Sequence, residues 1–396
     1  MKTEDRIALK KVENSVKNNE NIYQVAIPWR EDISCHDLPY NYKMALRRLL
    51  STEKRLLRDP NVANLYSDVI RHYLDSGYIR QVSREEDNTD AWFLPHFAVV
   101  RPIKATTKVR IVFNAAAKQD GISLNDTIYQ GPKLQNELFD VLLRFRRHPV
   151  ALVCDIAEMY LRIETAPGDR TYHRFLWRFM DQNKEPSQYE FNRIVFGVNS
   201  SPFLAQYVTH KNAEKLADAY PMAAETILKS TYMDDSMDSV PDSNNGIRLY
   251  RELSKVWEAA GMHARKWLSN SKEVLQEIPM EDRSESVDLD EGYLPSIKTL
   301  GILWIRDEDT FSFKSCPPPD DFEITKRNFL SKIATLFDPT GFLAPFVIRA
   351  KIMLQETWTA GLDWDDQLPE HLSIKAKKWF LELKDIYGGL SLSFRI

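Results

Sequence analysis

The chain has 396 residues, 43% of them hydrophobic and 28% charged, which is enough apolar material for a sizeable core and two or three domains or subdomains. Only 13 glycines argue against a loop-rich or low-complexity chain, and a net charge of −4 requires any nucleic-acid-binding surface to be local. Cys35, Cys154 and Cys316 stand far apart with no C-x-x-C pair, which argues against a disulfide framework or zinc knuckle and makes a reducing compartment the default; no apolar N-terminal segment or run of about 18 apolar residues predicts a signal peptide or a membrane span.

Residues 1–40 are polar and punctuated by Pro28-Trp29-Arg30 and Leu38-Pro39-Tyr40, which predicts an extended arm. Helical periodicity comes next over 43–58, with basic residues on the polar side, and again over 62–76, with Gly77 at a helix C′ position. Asp75-Ser76-Gly77 has the letters of an aspartic protease motif, but it comes after the helical stretch Val69–Leu74 where that motif needs a sharp loop after a strand. Residues 92–114 predict two strands around a turn. From Arg101 to Lys118 this region carries Arg101, Lys104, Lys108, Arg110 and Lys118 and no acid, which suits either a solvated hairpin face or a clamp for phosphate oxygens. An amphipathic helix spans 138–147, and its terminal cations are ordinary complements of the helix dipole. Strands are expected near 150–156, 172–179 and 189–196. A helix opens at Ser200-Ser201-Pro202, a hairpin surrounds Met233, and a helix over about 245–260 is closed by Gly261. A further hairpin pairs 300–305 with 310–313, and past a proline break the chain reads as mostly helical.

Thr231-Tyr232-Met233-Asp234-Asp235 concentrates the chemistry. Two adjacent carboxylates sit in a strand–turn–strand segment, with Ile227-Leu228 before it and Val240 after. Upstream, the apolar run Val150–Cys154 ends in Asp155. A lone Asp-Asp is most often only a turn. Two acids at one turn and a third at another strand end, brought together by folding, can instead hold two Mg²⁺ ions for in-line phosphoryl transfer. The alternation of strands and helices predicts an α+β fold, an antiparallel sheet backed by helices.

These residues resemble the ordered boxes of reverse transcriptases. Tyr232-Met233-Asp234-Asp235 looks like the catalytic box, and Asp155–Tyr160 like the first metal-binding box, which implies Asp155, Asp234 and Asp235 as catalytic metal ligands. The same resemblance implies that Tyr160 lies under the sugar of the incoming nucleotide and excludes a 2′-hydroxyl. Phe196-Gly197 would shape the nucleotide and template pocket beside Tyr232 and Met233. Arg110, with Lys104 and Lys108 as weaker matches, would hold the triphosphate. Lys266 would donate a proton to leaving pyrophosphate, and Leu300, Gly301 and Trp304 would grip the primer. Taken alone, Tyr160 also admits a reading as a core aromatic, and Lys266 one as a solvated surface lysine.

Leu94–Pro102, Arg265–Asn270 and Leu336–Pro345 are similar to the Pao (BEL/Pao) class of LTR retrotransposons. The resemblance implies a right-hand polymerase with N-terminal helices over 1–90, fingers over 91–149, a palm over 150–295 and a primer-grip hairpin with helical thumb or connection over 296–396. It implies an RNA-directed DNA polymerase that takes dNTPs and an RNA or DNA template–primer duplex, working in a cytoplasmic virus-like particle or in the nucleus without a membrane. The chain reads as a polyprotein fragment, its protease, RNase H and integrase portions encoded elsewhere. The competing reading is a non-catalytic transposon remnant that folds and binds nucleic acid or a protein; an RNA-dependent RNA polymerase is disfavoured by Tyr160.

Overall fold

The structure is a computed structural model describing residues 1–83, 86, 90–100, 109–284, 297–313, 318–319 and 321–389. Arg101, Lys104, Lys108 and Cys316 fall outside the described residues. The helices are α1 (Thr3–Ser15), α2 (Tyr42–Leu56), α3 (Pro60–Asp75), α4 (Leu138–Phe145), α5 (Ser201–Lys215), α6 (Pro221–Lys229), α7 (Ser243–Glu258), α8 (Lys272–Gln276), α9 (Lys326–Ala334), α10 (Ala344–Thr359) and α11 (Glu370–Gly389). The strands are β1 (Lys17–Asn19), β2 (Ile22–Val25), β3 (Ile79–Gln81), β4 (His96–Val100), β5 (Val109–Phe113), β6 (Val150–Ile156), β7 (Glu164–Thr165), β8 (Arg174–Trp177), β9 (Ser187–Phe191), β10 (Thr231–Tyr232), β11 (Asp235–Val240), β12 (Ala264–Ser269), β13 (Ile297–Thr299), β14 (Ile302–Ile305) and β15 (Thr310–Ser312). Separate helices with small, mostly antiparallel sheets make an α+β fold.

Two compact units are present. The first comprises Met1–Gln135, Ile156–Ile227 and Leu253–His263. It holds the sheets β1-β2-β7 and β3-β9-β8 and the hairpin β4-β5 around a core rich in aromatics, including Trp92, Phe93, Phe113, Phe175, Trp177 and Phe191. Helix α2 buries Met44, Ala45, Leu49 and Leu56 on one face, as its periodicity predicts. Helix α3 starts where Asp59 accepts the amides of Asn61 and Val62 with Pro60 in its first turn, and it stops before Gly77 at φ +67°. The expected extended arm is instead α1 and then the β1–β2 hairpin. Its charged helix is held by only two fully buried side chains, Ala8 and Val12, a signal too sparse for periodicity to register.

Two buried histidines in this unit tie stability to pH. His96 donates from Nε2 to the Leu176 carbonyl at 2.8 Å and accepts from the Tyr66 hydroxyl, so the neutral ring is fully satisfied. Burial pushes the pKa values of His96 and His173 down to about 4 each. An unfolded histidine titrates near ~6.5. Between those values the unfolded chain takes up protons that the native fold refuses, so stability falls as pH drops through the window. The urea midpoint is therefore expected to fall between pH 7.5 and pH 5, and to fall less in His96→Gln; a midpoint unchanged across that range would contradict the assignment.

The second unit comprises Asn136–Asp155, Leu228–Glu252 and Ala264–Ile396. Its main sheet has the order β10-β11-β6-β12, with β10–β11 and β11–β6 antiparallel. Val141, Leu142 and Phe145 of α4 pack with Ala151, Val153, Met237 and Trp304 in one core cluster. A smaller antiparallel sheet, β13-β14-β15, comes after it in the chain, and α9 to α11 build their own core around Phe329, Met353, Leu372 and Trp379. Two local expectations are corrected. Ile227-Leu228 belong to α6 rather than to the Met233 hairpin, because Ala223, Ala224 and Ile227 are buried at helical spacing. Leu300-Gly301 form the turn between β13 and β14 rather than part of a strand, with φ +43° and +92° as a type I′ turn requires. No helix among the described residues is long and apolar enough to cross a membrane.

Candidate active site

The acids are placed by strand register. Strand β6 is buried from Ala151 to Cys154, as suits a strand flanked by β11 and β12, and it becomes partly exposed at Asp155. Antiparallel pairing sets Asp235 directly opposite Asp155, with Ser236 opposite Cys154 and Met237 opposite Val153. Tyr232 pairs with Asp235, so Met233-Asp234 is a two-residue turn, and Met233 takes φ +59°. Cross-strand partners have Cβ atoms about 5 Å apart. Asp155 and Asp235 are therefore immediate neighbours, with Asp234 one residue away on the turn, and all three are half-buried.

Two carboxylates opposed across a ladder repel unless cations or a metal offset them. The Asp155 carboxylate has Arg265 Nε at 3.5 Å and Lys266 Nζ at 3.4 Å. Consecutive strand residues ordinarily point to opposite faces. Lys266 takes φ +53°, and this left-handed residue inside β12 breaks the alternation so that neighbours reach one carboxylate. Among the described residues no group of three or more acidic, His or Cys side chains is gathered as a complete metal cage. What is present is an opposed carboxylate pair with a third at the turn. That hard-oxygen donor set fits Mg²⁺, which is commonly bound by one or two carboxylates plus waters and substrate phosphates.

A second constellation lies within the first unit. Tyr160, 6% exposed, stacks on Phe196 with ring centroids 4.3 Å apart and planes 26° apart. The Arg110 guanidinium lies over the Phe196 ring, 4.8 Å from its centroid. Gly197 has φ +108°, and a Cβ there would meet the Phe113 carbonyl oxygen at 1.8 Å, so only glycine fits the turn after Phe196. Asn125 holds the same loop, donating to the Gly197 carbonyl at 3.2 Å and accepting the Asn199 amide at 2.9 Å. Sequence reasoning missed Asn125; its only signal is a polar residue in a loop.

Residues 99–267 match the family model described as reverse transcriptase (RNA-dependent DNA polymerase), and residues 325–388 match that of a Pao retrotransposon-like RNaseH-like domain. The opposed acids, Lys266, Tyr160, Phe196 and Arg110 all lie inside the first match. The two matches together support a reverse transcriptase of the Pao retrotransposon class. Its fold is similar to that of a foamy viral protease-reverse transcriptase solved in complex with double-stranded DNA, with a TM-score of 0.52 and 14% identity. The likeness covers 82% of this chain and 48% of that one, so the chain spans about half the length of the structure it matches. No curated protein matches the chain.

In the second unit, the hairpin carrying Leu300, Gly301 and Trp304 is fixed by its own core. Trp304 is fully buried, edge-on to Phe145 at 4.9 Å, and its Nε1 donates to Asp309 Oδ1 at 3.0 Å. Arg146 donates to the same carboxylate at 2.5 Å and to the Asp309 carbonyl at 2.6 Å. Trp304 is thus part of the hairpin's core, and it is the tip at Leu300-Gly301 that is partly exposed. The segment expected to be thumb or connection, with RNase H encoded elsewhere, carries the RNaseH-like match; among its described residues it consists of α9, α10 and α11 and no extended strand.

Proposed function

We propose that the chain is an RNA-directed DNA polymerase that extends a primer 3′-hydroxyl with dNTPs, and that Asp155, Asp234 and Asp235 hold two Mg²⁺ ions for this reaction. The observation that carries the reading is the register that opposes Asp155 and Asp235 at the end of a buried strand. Bound Mg²⁺ supplies a lowered pKa for the attacking hydroxyl and neutralises charge on the phosphate oxygens. The chain's own groups do the rest. Arg110 offers a guanidinium fork to the triphosphate, Lys104 and Lys108 add charge, and Tyr160 on Phe196 forms a flat wall for the sugar. Gly197 in the first unit, and Tyr232 and Met233 in the second, are assigned to nucleotide binding, while Leu300, Gly301 and Trp304 support the primer end. Lys266, held beside Asp155, is the donor that protonates leaving pyrophosphate.

The duplex, of RNA or DNA template and primer, is gripped through its backbone, in a cytoplasmic virus-like particle or the nucleus. Helix α2 supplies a phosphate-binding face. Lys43, Arg47, Arg48, Lys54, Arg55 and the adjoining Arg58 are exposed, and at about 100° per residue they fall within an arc of roughly 140°. The single acid of α2, Glu53, is buried and paired with Arg178 at 2.6 Å. Arg48, Lys54, Arg55 and Arg58 line a pocket of about 510 Å³ with Pro95 and Asn114. Replacing Arg48, Arg55 and Arg58 together by Gln is expected to flatten the slope of log affinity against log salt by about 2 for a single-stranded RNA, at ~0.7 per phosphate contact. Anisotropy titrations across salt concentrations read this, and an unchanged slope refutes the assignment.

Primer extension on poly(rA)/oligo(dT) with Mg²⁺ tests the function itself. Incorporation by the wild-type chain and none by Asp234→Asn is the expected result. Folded wild-type protein that incorporates no more than Asp234→Asn would leave the non-catalytic, nucleic-acid-binding remnant as the reading.

A further inference from the structure

We infer that Glu158 is a positioning residue for sugar selection, clamping the turn that delivers Tyr160 to Phe196; this rests on the polymerase reading of Tyr160 given above. Glu158 takes φ +52° and ψ +37°, a left-handed conformation that residues with a Cβ avoid unless their surroundings impose it. The surroundings here impose it from several directions. The Glu158 carboxylate accepts from His72 Nε2 at 2.7 Å and from the Tyr78 hydroxyl at 2.8 Å, and Arg162 Nη2 stands 3.5 Å away. His72 lies on α3 and Tyr78 just after it, while Arg162 also sits over the Tyr78 ring at 5.7 Å. On the other side of the turn, the Ala157 amide donates to the His263 carbonyl at 2.9 Å. The chain leaving β6 is therefore fixed by backbone at 157 and by side chain at 158.

The placement of Tyr160 depends on that fixation. A short 3-10 turn, Met159–Arg162, begins at the left-handed residue, and Met159, Tyr160 and Leu161 are all buried. The direction in which Tyr160 leaves the backbone is set two residues earlier. Loss of the clamp lets the turn relax toward commoner backbone angles and lets the Tyr160 ring shift from its 4.3 Å stack on Phe196. A sugar-discriminating wall works only if it cannot give way, so the Glu158 carboxylate, acting through the turn, governs which sugar is accepted. If Glu158 merely paired off nearby cations, its loss would lower stability without touching sugar choice.

The test uses the full chain in three variants. Glu158→Gly suits the left-handed backbone and so folds, yet has no clamp. His72→Phe/Tyr78→Phe leaves Glu158 but removes its donors. Glu158→Gln keeps one oxygen to accept from Tyr78 and turns an amide N–H to His72, whose Nε2 accepts it in the other tautomer, and serves as the conservative rescue. In the two unclamped variants, amide exchange over 157–163 is expected to quicken by about tenfold or more, as local opening becomes cheap. The dNTP-to-rNTP ratio of kcat/KM is expected to fall by about three- to tenfold, with Glu158→Gln close to wild type. Unchanged exchange over 157–163 overturns the clamp whether or not the protein polymerises. Faster exchange with an unchanged sugar ratio in active enzyme overturns the role in selection. Absence of any incorporation by the wild-type chain would instead sink the polymerase reading, while the exchange data still decide the clamp.

Discussion

Asp235→Asn is expected to abolish primer extension, by about 10³-fold or more, while leaving the chain folded. The register opposes Asp235 to Asp155, so the substitution removes one of the two carboxylates proposed to share a cation site. The lost stabilisation of phosphate and hydroxyl charge is on the order of 4 kcal/mol, which at ~1.36 kcal/mol per decade is that thousandfold. The fold tolerates the change because the position is half-buried at the strand end and because one member of a like-charged cross-strand pair is neutralised. Asp238→Asn provides the contrast. Asp238 is 5% exposed, lies opposite Leu152 in the same ladder, and accepts the Ser239 amide at 2.8 Å. Its substitution should lower the melting temperature and leave incorporation per folded molecule close to wild type. Primer extension paired with thermal denaturation reads both variants. Full activity in Asp235→Asn, or activity loss in proportion to unfolding, would remove these acids from the chemistry.

The acids were legible in the sequence because an apolar strand ending in Asp155 and a strand–turn–strand around Asp234-Asp235 carry local signals of burial and turn chemistry. Their opposition was not legible, since register between strands some 80 positions apart is set by long-range pairing. The same limit applies to β12. Nothing in Ala264–Ser269 announces that Lys266 adopts a left-handed backbone and sends two consecutive cations to one carboxylate. Helices α2 and α3 were visible because their apolar spacing is regular and their ends carry Asp59-Pro60 and Gly77. The N-terminal helix was missed because nearly half of its residues are charged and only Ala8 and Val12 are buried, and α6 because nine residues opening on Pro221 leave little periodicity to count. The Glu158 clamp reaches His72 and Tyr78, 86 and 80 positions away, and no local pattern marks it.

Tyr160→Val is expected to lower the dNTP-to-rNTP ratio of kcat/KM by about 10- to 100-fold, so that ribonucleotides are accepted. The ring is buried, stacked at 4.3 Å on Phe196, and Phe196 in turn carries the Arg110 guanidinium at 4.8 Å, so the aromatic wall is braced rather than free to swing. A braced ring excludes an extra hydroxyl by steric overlap, and excluding or admitting one small group is worth roughly 1–3 kcal/mol, which sets the range. Valine keeps apolar packing close to the backbone but removes the ring's outer edge, opening space at the 2′ position while dNTP incorporation persists. Tyr160→Phe keeps the ring and should keep the discrimination, which separates the ring's bulk from its hydroxyl. Single-nucleotide incorporation with matched dNTP and rNTP measures the ratio directly. A ratio unchanged in Tyr160→Val, in protein that still adds dNTPs, would mean that Tyr160 is core packing and that sugar choice is made elsewhere.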